Sequence, residues 1–255
     1  MHGRRTLFEI ADKLGISYPT LQEYFDQLDW SEGLVSPVCG DAVNLIIDTT
    51  FFGRQYGYFC FHDTQRIIWF CEVKTENVAI LRRGLYELWE AGYRFKSITI
   101  DGKKGFIQAI RKALGGVPIQ MCHFHQKMIV RRYLTNNPKT ECGRDLKALM
   151  NSLGSMKPEE FINAFYLLKE QHRSTLEKLN EKKQYQHKKL RSAFRSVQEN
   201  MHMLFTYTDL TEQNIPNTTN HLEGCFAHLK ERIKIHRGLK MHRKKKAIRF
   251  FMNSF

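Results

Sequence analysis

Asn44-Leu45-Ile46-Ile47-Asp48 and, fifty residues on, Ser97-Ile98-Thr99-Ile100-Asp101-Gly102 decide how this 255-residue chain folds. Each is a short apolar, β-branched run that ends in a carboxylate, the signature of a buried strand. Between them, Tyr56–His62 and Arg66–Val73 are aromatic and β-branched, separated by Asp63-Thr64-Gln65. They read, with the first run, as a three-stranded meander. Residues 77–91 carry Val78, Leu81, Leu85, Leu88 and Trp89 at helical spacing, and Gly92 stops them. After Asp101 come a helix over about 105–114 and a short strand, Val117–Met121. The order βββαβαβ predicts an α/β fold, a mixed sheet with helices on its faces. In such sheets chemistry gathers at the C-terminal ends of strands.

Outward from this core the character changes. Residues 6–28 read as two short helices around a tight turn. Leu7, Ile10, Ala11 and Leu14 recur at helical spacing, Gly15 breaks the pattern, Ser17 can cap the next helix, and Leu21, Tyr24, Phe25 and Leu28 give it an apolar face. This is a helix-turn-helix pattern, with Thr20 and Gln22 as its DNA-contact candidates, although Glu23 and Asp26 would repel phosphates and a plain αα-hairpin fits too. We place this unit at 1–32, a linker with Gly33, Pro37 and Gly40 over 30–41, and the main domain at 42–255. From about 126 to 205 the chain is helical in character, with a helical insertion at about 136–210; Lys157–Gln171 and 176–200 are its clearest periodic stretches. A further helix is expected from Asn220.

Lys and Arg number 40 against 26 Asp and Glu, for a formal charge of +14. A polyanion is the partner this favours, nucleic acid first. The first fifty residues hold eight acids and three bases, whereas residues 224–255 hold ten bases and the single acid Glu231. The phosphate grip is therefore expected from Lys230, Lys234, Arg237, Arg243, Lys244, Lys245 and Lys246. Six cysteines without a CxxC, no apolar leader and no stretch long enough to span a bilayer point to an intracellular protein that does not enter the membrane.

Asp48 and Asp101 hold matching positions on two strands. On neighbouring strands both carboxylates would reach one place, and oxygen ligands at such a point suit Mg2+ or Mn2+. Two ions about 4 Å apart can clamp a phosphodiester. The third carboxylate is best supplied by Glu223, in Asn217-Thr218-Thr219-Asn220-His221-Leu222-Glu223-Gly224. Gly224 beside it suggests close approach to a ligand, and Lys230, seven residues on, shares the helical face. An Asp at a strand end is also a common turn residue, and Glu72 is either a surface residue or a fourth carboxylate. Met121-Cys122-His123-Phe124-His125 is the other informative spot. Cys122, His123 and His125 are competent Zn2+ ligands, but a closed site needs partners such as Cys142 or Cys225. The competing reading packs Cys122 and points His125 at the carboxylates or a phosphate.

Four pieces in this order resemble the DDE transposases of the Mutator and IS256-like group: Leu45-Ile46-Ile47-Asp48-Thr49-Thr50, Ile98-Thr99-Ile100-Asp101-Gly102, Cys122-His123-Phe124-His125, and Thr218-Thr219-Asn220-His221-Leu222-Glu223-Gly224. The resemblance covers about 43–235. It implies an RNase H-like fold, with Asp48, Asp101 and Glu223 as the catalytic, metal-binding triad for two Mg2+ or Mn2+ ions. Cys122 and His125 match the family's Cys-x-x-His pair in a supporting role, Zn2+ there being the lesser reading. It further implies cleavage of double-stranded DNA at terminal inverted repeats, strand transfer into target DNA by the released 3′-OH, and a homodimer or higher oligomer on DNA. An RNase H-like structure-selective nuclease and a non-catalytic, domesticated or decayed DNA-binding relative are the alternatives.

Overall fold

The computed structural model describes residues 6–28, 30–35, 42–236 and 238–254. Pro37, Gly40 and Arg237 lie outside the described residues. Among the described residues the strands are β1 (Gly33–Leu34), β2 (Val43–Phe52), β3 (Tyr56–His62), β4 (Ile67–Val73), β5 (Phe95–Ile100) and β6 (Ile119–Met121). They form one mixed sheet in the order β1-β4-β3-β2-β5-β6. β3 and β4 pair antiparallel, and β5 is parallel to both β2 and β6. The α/β class expected from the sequence, a mixed sheet flanked by helices, is the observed one. Two expectations change. The stretch taken as a linker contains β1, which pairs with β4. The first acid-tipped strand does not stop at Asp48 but runs on through Thr49, Thr50, Phe51 and Phe52, residue types that favour strands.

The chain divides into two compact units. The first comprises Met1–Ala42, Ile47–Arg94 and Asn220–Phe255. Its helices are α1 (Leu7–Leu14), α2 (Tyr18–Gln27) and α3 (Val78–Glu90), followed at the far end of the sequence by one over Asn220–Ile235 and one over Met241–Met252. Thr6 and Glu9 form a capping box at the start of α1, and Gly15 closes it at φ 65°, a left-handed conformation glycine adopts without strain. Ser17 caps α2. The two helices stand where the sequence puts them, but their buried faces are narrower: Leu7, Ala11 and Phe25 are buried, while Leu14, Tyr24 and Leu28 are exposed. β3 is buried along its whole length, so it reads as a continuous apolar run rather than an alternating one. Gly84 of α3 lets that helix sit against this layer: a Cβ there would stand 2.8 Å from the Phe61 ring.

His62, at the end of β3, is 2% exposed; its Nδ1 accepts a hydrogen bond from the Thr64 amide, and its ring lies 6.0 Å from that of His221. Burial pushes its pKa down from 6.5 to about 4. Between these values the unfolded chain takes up a proton that the folded chain refuses. Stability is therefore full above pH 6.5 and falls as pH drops toward 4, at no more than about 1.4 kcal/mol per pH unit. His62→Gln is expected to flatten that part of the pH dependence of the denaturation midpoint; an unchanged slope would contradict the assignment.

The second unit comprises Val43–Ile46 and Phe95–Thr219. Its helices are α4 (Lys104–Leu114), α5 (His123–Leu134), α6 (Glu141–Asn151), α7 (Pro158–Gln171), α8 (Arg173–Glu177), α9 (Lys188–Leu204) and α10 (Thr206–Asp209). Phe161, Phe165 and Phe194 are buried at the centre of the helical insertion, with the Phe165 and Phe194 rings 5.6 Å apart. The stretch 176–200 is not one helix. Residues 178–187 turn back on themselves through a bridge between Leu179 and Tyr185, and the Asn180 side chain accepts from the amides of Lys182 and Gln184. Such local Asn bonds compete with helix formation. Among the described residues no helix is long and apolar enough to cross a membrane.

Candidate functional site

Of the three expected carboxylates, Asp48 and Glu223 belong to the first unit and Asp101 to the second. Asp48 lies in β2, half-buried, and one of its oxygens accepts from the Thr49 amide at 2.7 Å. Its charge is near enough to the fully buried Cys60 thiol to add to the rise that burial causes there. Glu223 lies in the first turn of α11 (Asn220–Ile235). Leu222, Phe226, Leu229 and Ile233 form that helix's buried stripe, which leaves the adjacent Glu223 half-buried at the edge of the core. A carboxylate at a helix N-terminus also faces the positive end of the helix dipole. Although 175 residues separate Asp48 from Glu223, a carboxylate oxygen of each lies within 4.8 Å of the other. At that spacing two charges repel by roughly 3 kcal/mol at an effective dielectric of 20, and a cation held between them reverses the sign. A Cβ at Gly224 would meet no protein atom within 4 Å, which leaves open space beside Glu223.

In the second unit, Asp101 directly follows β5, half-buried, and an oxygen of its side chain accepts from the Lys103 amide at 3.3 Å. Here the carboxylate does follow the strand's end. Cys122 caps α5 and is buried; its sulfur accepts from the Thr219 amide at 3.4 Å and lies 3.5 Å from the Thr219 hydroxyl. Burial alone would raise the thiol's pKa. The hydrogen bonds and charge of His125, with help from Thr219, outweigh it and hold the thiol below its ordinary value. Cys122, His125 and Thr219 therefore form one hydrogen-bonded cluster. His123 turns elsewhere: its Nε2 bonds the Leu204 carbonyl at 2.6 Å, and burial lowers its pKa. Cys142, one conceivable zinc partner, is buried in α6 with its thiol pushed up to about 12 by burial and by Asp145. Among the described residues no third cysteine or histidine joins Cys122 and His125.

Glu72 is not a fourth carboxylate of this kind. It lies in β4 and bonds Lys245 and Arg249 of α12 (Met241–Met252). The basic run at the end of the chain is largely occupied in this way. Arg243 makes a bidentate pair with Asp26 of α2, Lys246 donates to the Asp26 carbonyl, and Arg249 pairs with Glu32 at 2.7 Å. Trp30 packs on Phe250 at 4.8 Å. Of the residues expected to grip phosphate, Arg243, Lys245 and Lys246 thus hold α12 against α2 and β4. Lys230 and Lys234 are exposed, the Lys230 ammonium 6.0 Å from the centre of the Phe52 ring. In α2, Thr20 shares a 2.7 Å hydrogen bond with Ser17 as part of the cap, and Gln22 is half-buried.

No family model and no curated protein matches the chain. Among solved structures it is similar to a Drosophila P element transposase strand transfer complex, at 11% identity and TM-score 0.47, over 99% of this chain and 89% of that one. It is also similar to a simian T-cell lymphotropic virus intasome in complex with PP2A regulatory subunit B56 gamma, at 13% identity and TM-score 0.26, over 58% of this chain and 65% of that one.

Proposed function

We propose that this protein is a DDE-type DNA transposase of the Mutator and IS256-like kind, with Asp48, Asp101 and Glu223 as its catalytic carboxylates. The observation that carries the reading is the meeting of Asp48 and Glu223 from opposite ends of the sequence. Asp101, which directly follows β5, is proposed as the third member from the repeated strand-and-acid pattern of the sequence. These oxygen donors fit a hard divalent cation, Mg2+ or Mn2+, better than zinc. When bound, such ions supply Lewis-acid charge to a phosphodiester and activate the attacking hydroxyl.

The chain's own groups do the rest. Asp48 and Glu223 present their carboxylates from a strand and a helix, elements stiff enough to hold ligand geometry. Lys230, two turns beyond Glu223 on α11, is assigned to a phosphate of the substrate. Cys122, His125 and Thr219 are assigned to position the start of α5. The substrate is double-stranded DNA carrying the element's inverted repeats, and two copies of the chain would be needed to hold two ends.

The test is a plasmid bearing the flanking inverted repeats, incubated with Mg2+. Cleavage at the repeats with joining of the 3′ ends to a second DNA supports a transposase. Cleavage without joining or repeat dependence supports a structure-selective nuclease, and binding without cleavage supports a decayed relative.

A further inference from the structure

At the basic end of the chain Arg243, Lys245 and Arg249 are ion-paired, and a second basic surface stands between α5 and α9. An open cleft of about 390 Å³ lies between α5 and α9, lined by Gly102, Lys104, Arg132, Tyr133, Ser192 and Arg195. Its one acid, Glu199, is paired with Lys104 at 2.9 Å. Arg132 and Arg195 are exposed and, among the described residues, in no ion pair. The neighbouring cleft, which shares Arg195, differs: Arg173 there is paired with Glu170 and Glu177, and Arg191 is laid over the Tyr185 ring at 3.4 Å.

The cleft is built rather than accidental. Buried Gln126 of α5 accepts from the Asn200 side chain at 2.8 Å and donates to the Ser196 hydroxyl at 3.2 Å, a polar ladder that fixes α9 against α5. The cleft lining includes Gly102, the residue after Asp101. A Cβ there would lie 2.4 Å from the Met121 methyl, so a larger residue would require that side chain to move.

From these features we infer that the α5–α9 cleft holds a single strand of DNA, its phosphates on Arg132 and Arg195 and a base against Tyr133, so that the strand leads to Asp101. Two exposed arginines and a tyrosine lining one cleft are the elements of single-strand binding. The inference rests on the DNA-processing reading and gives it a substrate track.

The test measures fluorescence anisotropy of a short labelled single strand, and separately of a blunt duplex, with the full chain in a chelating buffer where no cleavage occurs. The Arg132→Ala/Arg195→Ala variant is expected to bind the single strand at least tenfold more weakly. Its salt dependence should be shallower by about 1.4 in log–log slope, two contacts at about 0.7 each. A charge-matched variant, Lys178→Ala/Lys182→Ala, should bind as wild type, and Arg132→Lys/Arg195→Lys should regain part of the loss. Wild-type affinity and slope in the double-alanine variant would overturn the cleft assignment, as would a loss equal for strand and duplex. Either result leaves plasmid cleavage, and so the catalytic reading, to be judged separately.

Discussion

Glu223→Gln is expected to reduce Mg2+-dependent DNA cleavage by about a thousandfold or more while leaving DNA binding within a few-fold of wild type. Gln keeps the shape of the side chain and the packing of Leu222 and Phe226 beside it, so α11 should still form. What it removes is one negative charge from a pair held within 4.8 Å. A cation that was attracted by both carboxylates then has one, and a loss of about 4 kcal/mol in transition-state stabilisation corresponds to three powers of ten in rate. A melting experiment separates this from unfolding. Without metal the variant should melt no lower than wild type, because a like-charge repulsion has gone. With metal, wild type should gain stability and the variant should not, since an ion bound only by the folded state stabilises it by mass action. Cleavage at wild-type rate by a folded Glu223→Gln protein would contradict the catalytic assignment.

Trp69→Ala is expected to cost about 3–5 kcal/mol of folding stability, the range for truncating a large buried aromatic. The indole is fully buried in β4, with the Phe61 ring at 4.9 Å and the Arg83 guanidinium 5.4 Å from its centre. Its Nε1 donates to a Glu87 oxygen at 2.6 Å, tying α3 to the sheet. Alanine removes the packing and the bond together, and Gly84 cannot fill the space because it has no side chain of its own. Trp69→Phe keeps most of the apolar area and should lose only about 1–2 kcal/mol, mainly the hydrogen bond and part of the packing. The difference is read from urea denaturation midpoints. A loss below 1 kcal/mol for the alanine variant would mean that this layer carries less of the fold's stability than its burial implies. Because total stabilities are themselves only about 5–15 kcal/mol, the variant is expected to be marginal at physiological temperature.

The elements that the sequence reveals are those whose apolar pattern is decided locally. β3 falls on the predicted residues because Tyr56, Tyr58, Phe59 and Phe61 make Tyr56–His62 strongly aromatic. α7 is legible to within a residue because Phe161 and Phe165 repeat at helical spacing and Pro158 can open a helix. α12 is not legible in the same way. Arg243–Lys246 reads as a basic run that grips phosphate, and the residues that make it a docked helix, Ala247, Ile248, Phe251 and Met252, come only after it. Its docking also depends on Asp26, Glu32 and Glu72, more than 170 residues away, partners that no local pattern identifies. β1 is two residues long and has no period to detect. At the candidate site, the strand-and-acid repetition points to Asp48 and Asp101, but the approach of Glu223 to Asp48 is a tertiary fact that no spacing contains. The cleft arginines are equally hidden, since Arg132 and Arg195 are two among 40 basic residues until α5 and α9 are packed.

The most direct measurement is calorimetric titration of Mn2+ into the folded protein and into Asp48→Asn, Asp101→Asn and Glu223→Gln. Three carboxylates that jointly hold the ions predict saturable binding by wild type and severe weakening by each single variant. Wild-type affinity in Asp101→Asn would leave Asp48 and Glu223 as a pair without the third ligand, and the catalytic centre proposed for this chain would not exist.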